Sequence, residues 1–274
     1  MFIDWLAASI ISVMAFATAP DGTRIYYEVQ GAGEPLLLIA GQANDHHLWN
    51  LVRADFVKQY QVIVYDQRGT GQSDKPERPP YSTRGFARDA IAVLDHMGVA
   101  RAHIYGVSMG GAIGQWLGIR HPSRIGALVL GCSTAGAAHG VRRAEEISDI
   151  IAQRDNSKVL DTFFAHRWAL PKFFLSMLES LKYPIPEYAE KLHDQASKEH
   201  DAWDGLPSIT APTLILHGSN DRVVPTANAP LLAGRIPHAE LYLVKNGRHM
   251  FFIEFRREVD CVVKAFLVRH PLED

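Results

Sequence analysis

Cysteine is scarce in this sequence, and the spacings that commonly build metal sites are missing. The 274 residues contain two cysteines, Cys132 and Cys261, and both lie in apolar stretches. We therefore expect two buried thiols and not a disulfide framework. Neither a Cys-x-x-Cys nor a His-x-x-x-His pair is present. The adjacent histidines His46 and His47 cannot share one face of a helix or strand, which favours a loop role over a metal site.

An excess of charge of either sign is missing as well. Lys and Arg total 28 residues against 30 for Asp and Glu, which gives a formal net charge of -2. Neither nucleic acid nor an anionic membrane surface is expected as a partner, because both attract proteins with a basic excess. The uncharged run over residues 5–19 is too short for a membrane-spanning helix, so stable membrane insertion is not expected.

Residues 1–20 form an N-terminal extension of uncertain role in our division of the chain. Small residues near its end resemble a signal-peptidase site, but a basic leading segment is missing. A hairpin pattern with its turn at Asp21 and Gly22 instead favours Met14 as the start that matters. A cytoplasmic location is then expected, with export as the alternative if residues 1–19 act as a signal peptide.

Apolar runs of strand length alternate with stretches of helical pattern along most of the chain. Continuous apolar runs are typical of strands covered on both faces, and a short strand–helix alternation favours a parallel sheet. We therefore predict an α/β fold with a mostly parallel central sheet and helices on both faces. The predicted strands are RIYYEVQ, PLLLIAG, YQVIVYD, AHIYGV, IGALVLGC, APTLILHG and AELYLVKNG.

The alternation is interrupted over residues 134–206. This stretch is helix-rich, aromatic and charged, and it contains no run typical of a buried strand. A helical insert between two strands of such a sheet is a candidate lid over the carboxyl edge, where open α/β folds bind ligands. The predicted core consists of residues 21–133 and 207–274, and residues 134–206 are the predicted helical lid.

One serine lies between glycines at the junction of a predicted strand and a predicted helix. The sequence GVSMGG, residues 106–111, follows the run AHIY and opens into AIGQWLGI. A Gly-x-Ser-x-Gly turn holds its serine in a strained conformation, in which larger neighbours would collide with the strand or the helix. The pattern predicts that the Ser108 hydroxyl lies at the sheet edge beside the first amides of the helix. A tight turn with a structural serine is the alternative.

A serine nucleophile needs a base and a carboxylate that orients the base. The sequence LILHGSNDRVVP places Asp221 after one predicted strand, and LYLVKNGRHMFF places His249 after the next. The order Ser, acid, His along the chain is the one that this architecture requires. An Asx turn, in which Asn220 and Asp221 only shape the loop, is the alternative for the acid.

These motifs, together with YDQRGTGQS after another predicted strand, resemble the α/β-hydrolase fold family from about residue 21 to the end. The resemblance implies that Ser108 is the nucleophile, His249 the general base and then acid, and Asp221 its orienting carboxylate. The sequence Cys132-Ser133-Thr134 ends a predicted strand at a place where some relatives hold an alternative acid, and no acid is present there.

The resemblance also implies an oxyanion hole made of two backbone amides. One amide belongs to Met109, the residue after the serine, and the other to the loop after PLLLIAG. Many relatives have His-Gly in that loop, whereas this chain has Ala40-Gly41-Gln42. We assign the second amide to Gln42.

A serine at the turn, in place of an aspartate, argues against haloalkane dehalogenase and epoxide hydrolase chemistry. Residues 108–119 are similar to 3-oxoadipate enol-lactonases, and residues 65–71 are similar to aminoacrylate hydrolases. The resemblance therefore implies a carboxylic ester hydrolase whose small-molecule partner is an ester or lactone substrate. It implies no cofactor and no metal.

Two other kinds of protein on the same fold are left open. One is a cofactor-free perhydrolase of the haloperoxidase type, or a carbon–carbon bond hydrolase. Carbon–carbon bond hydrolases of this fold often carry Trp after the catalytic histidine, and Met250 at this position disfavours that class. The other is a ligand receptor without catalysis, which the complete set of three residues disfavours. A homo-oligomer is also left open.

Aromatic residues of the predicted lid are candidates for the substrate pocket. We predict that Trp168, Phe164 and Met250 line it, although an aromatic stripe at helical spacing also suits the core of a lid. His166 and Arg167 are candidates for binding a substrate carboxylate, with a solvated surface as the alternative.

Overall fold

The computed structural model arranges eight strands in one sheet and describes residues 13–78, 81–153 and 156–272. The strands are β1 (Val13–Thr18), β2 (Arg24–Gln30), β3 (Glu34–Ile39), β4 (Tyr60–Tyr65), β5 (Ala102–Val107), β6 (Ile125–Gly131), β7 (Thr213–Gly218) and β8 (Ala239–Val244). Their order across the sheet is β1-β2-β4-β3-β5-β6-β7-β8. The β1–β2 and β2–β4 pairs are antiparallel, and the other pairs are parallel. The prediction of a mostly parallel central sheet is confirmed.

Helices cover both faces of this sheet, as predicted. They are α1 (Asn50–Phe56), α2 (Thr83–His96), α3 (Met109–Arg120), α4 (Glu145–Ala152), α5 (Asn156–Phe163), α6 (Leu170–Ser176), α7 (Glu187–Lys198), α8 (Asn228–Arg235), α9 (Phe251–Glu254) and α10 (Arg256–Val268). Leu37 of β3 packs in a core with residues of α2, α3 and α8, whereas Leu36 packs with α1, α9 and α10. Successive strand side chains point to opposite faces, so a strand covered twice must be apolar throughout. None of the described helices has the length and apolar character needed to cross a lipid bilayer.

The segment between β6 and β7 is helical. Residues 134–206, which we call the insert, contain α4 to α7 joined by short turns, some of them 3-10 helical. Its described part forms no strand and makes one isolated bridge, between Gly136 and Asp201. The role of the insert as a lid stays a prediction.

The assignment of residues 1–20 to an extension is wrong over its last part. Residues 13–18 form β1, which pairs with β2 along its whole length. Without β1, the outer edge of β2 would expose unpaired N–H and C=O groups. The hairpin predicted around Asp21 and Gly22 is confirmed, and Gly22 adopts the positive φ of +87° in its turn. Residues 1–12, which hold most of the alternative signal peptide, lie outside the described residues.

The two cysteines differ in burial, and the prediction for one of them is wrong. Both thiols are free, but Cys132 is buried while Cys261 is exposed. On α10 the buried side includes Val259 and Val263, and Cys261 lies two residues from each. Because a two-residue step on a helix turns by more than half a revolution, Cys261 lies on the solvent side.

Candidate active site

Ser108 lies in a strained turn between β5 and α3. Its φ of +56° and ψ of -121° place the backbone in a conformation that residues with side chains rarely adopt. The flanking glycines are required by close approaches: a Cβ atom on Gly106 would overlap the carbonyl of Gly110, and one on Gly110 would overlap the carbonyl of Ile39. The turn can therefore be this sharp only with glycine at both positions, and it presents Ser108 at the carboxyl edge of the parallel strands.

Asp221 uses its two carboxylate oxygens for different partners. In the turn after β7, Oδ1 accepts hydrogen bonds from the amides of Val223 (2.9 Å) and Val224 (3.0 Å). The second oxygen, Oδ2, lies 2.8 Å from Nδ1 of His249. Asp221 therefore makes the Asx turn and also contacts the predicted base, so the two interpretations of this residue are compatible.

The surroundings of Asp221 keep its carboxylate ionised. Burial alone would favour the protonated acid, but electrostatic attraction to the His249 ring and hydrogen bonds from His217 and His249 outweigh it. Together they hold the pKa of the Asp221 carboxyl well below its ordinary value. Nε2 of His217 lies 3.4 Å from Oδ2 of Asp221 and 2.9 Å from the Val224 carbonyl. A buried anion at Nδ1 of His249 favours the tautomer that leaves Nε2 free to accept a proton.

His249 lies in the loop between β8 and α9, and the insert packs against it. The ring of Phe163, at the end of α5, meets the imidazole edge-on with the ring centroids 5.4 Å apart. The Met250 amide donates to the Phe163 carbonyl at 2.9 Å. Ser108 and His249 line one cavity, and among the described residues no hydrogen bond joins these two side chains. The structure thus brings the three predicted residues to one sheet edge and bonds Asp221 to His249.

The predicted oxyanion-hole residues, Met109 and Gln42, line the same cavity as Ser108. Met109 is the first residue of α3, so its amide has no acceptor within the helix. Gln42 lies in a turn closed by a hydrogen bond of 3.3 Å from the Asn44 amide to the Gly41 carbonyl. The Asn44 side chain donates to the Gln42 carbonyl at 2.8 Å. The turn holds the Gln42 backbone in the cavity that Ser108 also lines, and the role of Gln42 as a donor stays a prediction.

His193 of α7 connects the insert to this turn, and the sequence analysis did not single it out. Its Nδ1 accepts a hydrogen bond from the Ala43 amide at 3.3 Å, and its Nε2 lies 2.8 Å from the Arg68 carbonyl. Burial lowers the pKa of His193 to about 4, so the ring is neutral and donates from Nε2. Helical periodicity could have identified a buried position on α7, but not a partner 150 residues away.

A buried ion network of Glu28, His46 and Asp66 lies beyond the same turn. Nδ1 of His46 is 2.7 Å from Asp66, and Nε2 is 3.0 Å from Glu28. Burial opposes a charge on His46, but hydrogen bonds and attraction from Asp66 and Glu28 outweigh it and raise the pKa of His46 to about 9. Both ring nitrogens are thus bonded to carboxylates, and His46 joins β2 to the loop after β4 as a cation.

Cys132 lies at the end of β6, beside the pair of Asp221 and His249. Its Sγ, a carboxylate oxygen of Asp221 and a ring nitrogen of His249 all lie within 4.8 Å of one another. Burial and the charge on Asp221 raise the pKa of the Cys132 thiol well above its ordinary value. This spacing would suit a metal ion, but the thiol stays protonated and the other two groups are bonded to each other.

A cavity of about 330 Å³ opens beside these residues. Loops at the carboxyl edge of the sheet contribute the turn around Gln42, the predicted nucleophile and the predicted base. The insert contributes Thr134, Arg143, Ile151, Phe163, Ser197 and His200. The insert therefore supplies part of the cavity wall, and residues of the core, among them Leu48, Val223 and Phe252, supply the rest.

Of the three predicted pocket residues, one lines the cavity and two do not. Met250 lines the cavity. Phe164 instead packs in the core with Phe173, at 5.3 Å between ring centroids, and Trp168 is 64% exposed. Phe163 faces the cavity in their place. Aromatic composition indicates a packed insert, but it does not show which side of each short helix turns inward.

The two candidates for binding a substrate carboxylate have partners elsewhere. Nδ1 of His166 lies 2.6 Å from Glu254, and Arg167 makes two hydrogen bonds to Asp161 on the protein surface. Neither residue lines the cavity. The cationic side chain that does so is Arg143, which has no distinguishing sequence context.

Comparison with known proteins places this geometry in a family. Residues 34–255 match the alpha/beta hydrolase fold. The chain is 31% identical over 248 residues to a protein of Azorhizobium caulinodans named as a carbamate hydrolase, RutD, covering 87% of this chain and 92% of that protein. It is 29% identical over 268 residues to 3-oxoadipate enol-lactonase 2 of Acinetobacter baylyi, covering 91% and 96%. The second match confirms the resemblance to enol-lactonases.

A solved structure agrees with these relatives. The esterase EaEST from Exiguobacterium antarcticum superposes with a TM-score of 0.80 at 26% identity, covering 93% of this chain and 99% of the other. Together with the sequence relatives it indicates a hydrolase. The chain belongs to the alpha/beta hydrolase fold family.

Proposed function

We propose that this protein is a serine hydrolase that cleaves a small carboxylic ester or lactone through an acyl-enzyme intermediate. The observation that carries the proposal is the hydrogen bond of 2.8 Å between the buried Asp221 and His249, next to the strained Ser108 in one cavity. An imidazole held by a buried carboxylate is the base that a serine hydroxyl needs to act as a nucleophile.

Acylation follows from these positions. Oγ of Ser108 attacks the carbonyl carbon of the substrate while Nε2 of His249 takes the hydroxyl proton. Asp221 keeps the ring in the accepting tautomer and stabilises the imidazolium that forms. His249 then gives the proton to the leaving oxygen as its bond to the carbonyl carbon breaks. In a lactone this alcohol stays attached to the acyl group.

Deacylation repeats the same proton transfers with water. His249 takes a proton from a water molecule, whose oxygen attacks the carbonyl carbon of the acyl-enzyme. The bond to Oγ of Ser108 breaks, and His249 returns the proton to that oxygen. In both steps the amides of Met109 and Gln42 would stabilise the negative charge on the carbonyl oxygen. Loss of one such donor typically costs about 100- to 1,000-fold in turnover.

The choice of ester or lactone rests on the nucleophile and on the relatives. Attack by serine yields an ester intermediate that water can cleave, and no cofactor takes part in these steps. Similarity to an enol-lactonase and to an esterase supports an oxygen leaving group. A relative named for carbamate hydrolysis makes a carbamate a necessary member of the substrate panel.

The test measures turnover of p-nitrophenyl acetate and butyrate, simple lactones of increasing ring size, and a carbamate. We expect ester or lactone turnover that falls roughly 1,000-fold or more in Ser108→Ala. Ser148, an exposed serine of α4, provides the matched control, and Ser148→Ala should keep the full rate. A fluorophosphonate probe should label the wild type and the control but not Ser108→Ala. Turnover that survives in Ser108→Ala, or a wild type that is not labelled, would contradict the proposal.

A further inference from the structure

The cavity beside Ser108 has an uneven distribution of charge. Among the described residues that line it, Arg143 is the only Lys or Arg, and no Asp or Glu contributes to its wall. The residue is exposed overall and also lines the cavity, which places it at the mouth. A ligand that enters therefore meets one positive side chain and no opposing carboxylate.

Arg143 is one of the cations of the insert for which the described residues supply no partner. Arg167 pairs with Asp161, and Lys198 pairs with Asp194. In the described part of the chain no ion pair or hydrogen bond involves the Arg143 guanidinium. Burial lowers the pKa of Arg143, and the charges of Asp194 and Asp221 oppose this change. The ordinary pKa of a guanidinium is so high that Arg143 stays charged despite this lowering, and its hydrogen-bond donors are free for a ligand.

Ser197 of α7 supplies a second free group in the same cavity. Its hydroxyl oxygen is buried and has no hydrogen-bond partner among the described residues. A buried hydroxyl without a partner is costly, and a ligand that accepts a hydrogen bond from it would remove that cost. The negative charge of Asp194, three residues before Ser197 on α7, favours the charged form of Arg143. The guanidinium and the hydroxyl both line the cavity beside Ser108.

His200, the next polar residue of the insert on this wall, does not compete for an anion. Nδ1 lies 2.9 Å from the Thr83 hydroxyl, and Nε2 lies 3.3 Å from the Gln115 side chain. Burial lowers the pKa of His200 to about 4, so the ring is neutral at ordinary pH. Arg143 therefore carries the positive charge that the insert presents to the cavity.

We propose that Arg143 and Ser197 bind a carboxylate of the substrate while Ser108 attacks a separate ester or lactone carbonyl. The natural substrate is then the monoester of a short dicarboxylic acid, or a lactone that carries a carboxylate. A planar guanidinium is suited to a carboxylate because it can form two parallel hydrogen bonds. This inference rests on the proposed function, since it adds a recognition group to the same site.

The test compares two esters that differ only at the far end. Monomethyl glutarate ends in a carboxylate, and methyl pentanoate ends in a methyl group at the same chain length. Hydrolysis of both is followed by pH-stat titration. We expect the wild type to have a kcat/KM at least about tenfold higher for the glutarate ester.

Substitutions separate this recognition from the chemistry. Arg143→Gln should lower kcat/KM for monomethyl glutarate by about 10- to 100-fold, mostly through KM, and change methyl pentanoate by less than about twofold. Ser197→Ala should act in the same direction with a smaller effect. The adjacent Arg142 does not line the cavity, and Arg142→Gln should change neither ester. A wild type without preference for the anionic ester, or an equal loss on both esters in Arg143→Gln, would overturn the proposal.

A wild type that hydrolyses neither ester would count against the proposed function. The carboxylate site at Arg143 is then tested separately, by binding. Glutarate is then titrated into wild type and Arg143→Gln by calorimetry. Binding to the wild type that is lost in Arg143→Gln supports the carboxylate site. Binding to neither, or equally to both, overturns it.

Discussion

The two oxygens of the Asp221 carboxylate have separate partners, which makes one substitution informative. In Asp221→Asn, the remaining oxygen can still accept from the amides of Val223 and Val224. The new NH2 group then faces Nδ1 of His249 and favours the tautomer that cannot accept the Ser108 proton. We expect kcat to fall roughly 1,000-fold or more, with KM little changed, on the best substrate of the panel. A decrease of less than about tenfold would argue against the assigned role.

The role of Asp221 can also be tested by restoring kcat with a carboxylate at position 132. The sulfur of Cys132 lies within 4.8 Å of the reacting atoms of Asp221 and His249, so a carboxylate introduced there can reach the same ring. The Cys132 φ of +38° is a backbone conformation that aspartate tolerates better than most residues. Combining Cys132→Asp with Asp221→Asn should raise kcat at least about tenfold above Asp221→Asn alone. Cys132→Ser in the same background is the control and should give no recovery.

Among the strands and helices, the regular elements of the core were the easiest to predict. Parallel strands buried on both faces require continuous apolar runs, and these runs were visible in the sequence. The hairpin turn at Gly22 carried its own local pattern, which favoured Met14 as the start, yet the core boundary was drawn at residue 21 and left β1 outside it. The inward sides of the short insert helices could not be predicted, since they depend on contacts with distant segments.

The same distinction applies to the site. Ser108, Asp221 and His249 each follow a strand, so a local turn pattern and the order of the strands were enough to locate them. Arg143 lines the cavity and His193 contacts the turn around Gln42 because of how the insert folds, and nothing in their local sequence distinguishes them from surface residues. Positions at the sheet edge were thus predictable from the sequence. Positions in the insert were not, because they depend on the tertiary packing of that segment.

The contact between α7 and the oxyanion turn predicts an effect of His193 on catalysis. His193→Ala removes the acceptor of the Ala43 amide and the donor to the Arg68 carbonyl. We expect a loss of about 1 to 3 kcal/mol in the free energy of unfolding, and a fall in kcat of about tenfold as the Gln42 turn loosens. Urea unfolding and steady-state kinetics measure the two effects.

Lys191 provides a control on the exposed side of the same helix, where it pairs with Glu187 at 2.7 Å. Lys191→Ala should leave both the stability and kcat nearly unchanged, because surface ion pairs contribute little. If His193→Ala lowers stability but keeps the wild-type kcat, the histidine has a purely structural role.

For the molecule as a whole, the network of Glu28, His46 and Asp66 predicts a dependence of stability on pH. The folded pKa of His46 is about 9, above the ordinary 6.5. Its contribution to the free energy of unfolding is therefore fully present below about pH 6.5 and is lost as pH rises through about 9. Urea unfolding of wild type and His46→Gln between pH 6 and 10 should show the difference between them shrinking across this interval. A difference that stays constant would mean that His46 is not charged in the folded protein.

Residues that line the cavity come both from the core and from the insert, and this division has an evolutionary consequence. The groups proposed to break the bond follow strands of the sheet, whereas Arg143 and Ser197 belong to one continuous stretch, residues 134–206. Exchange of that stretch between homologous genes would therefore transplant substrate preference as a module, provided that the incoming stretch keeps His193 and its contact with the Gln42 turn. Divergence of selectivity in such a lineage needs no simultaneous change in the reactive centre.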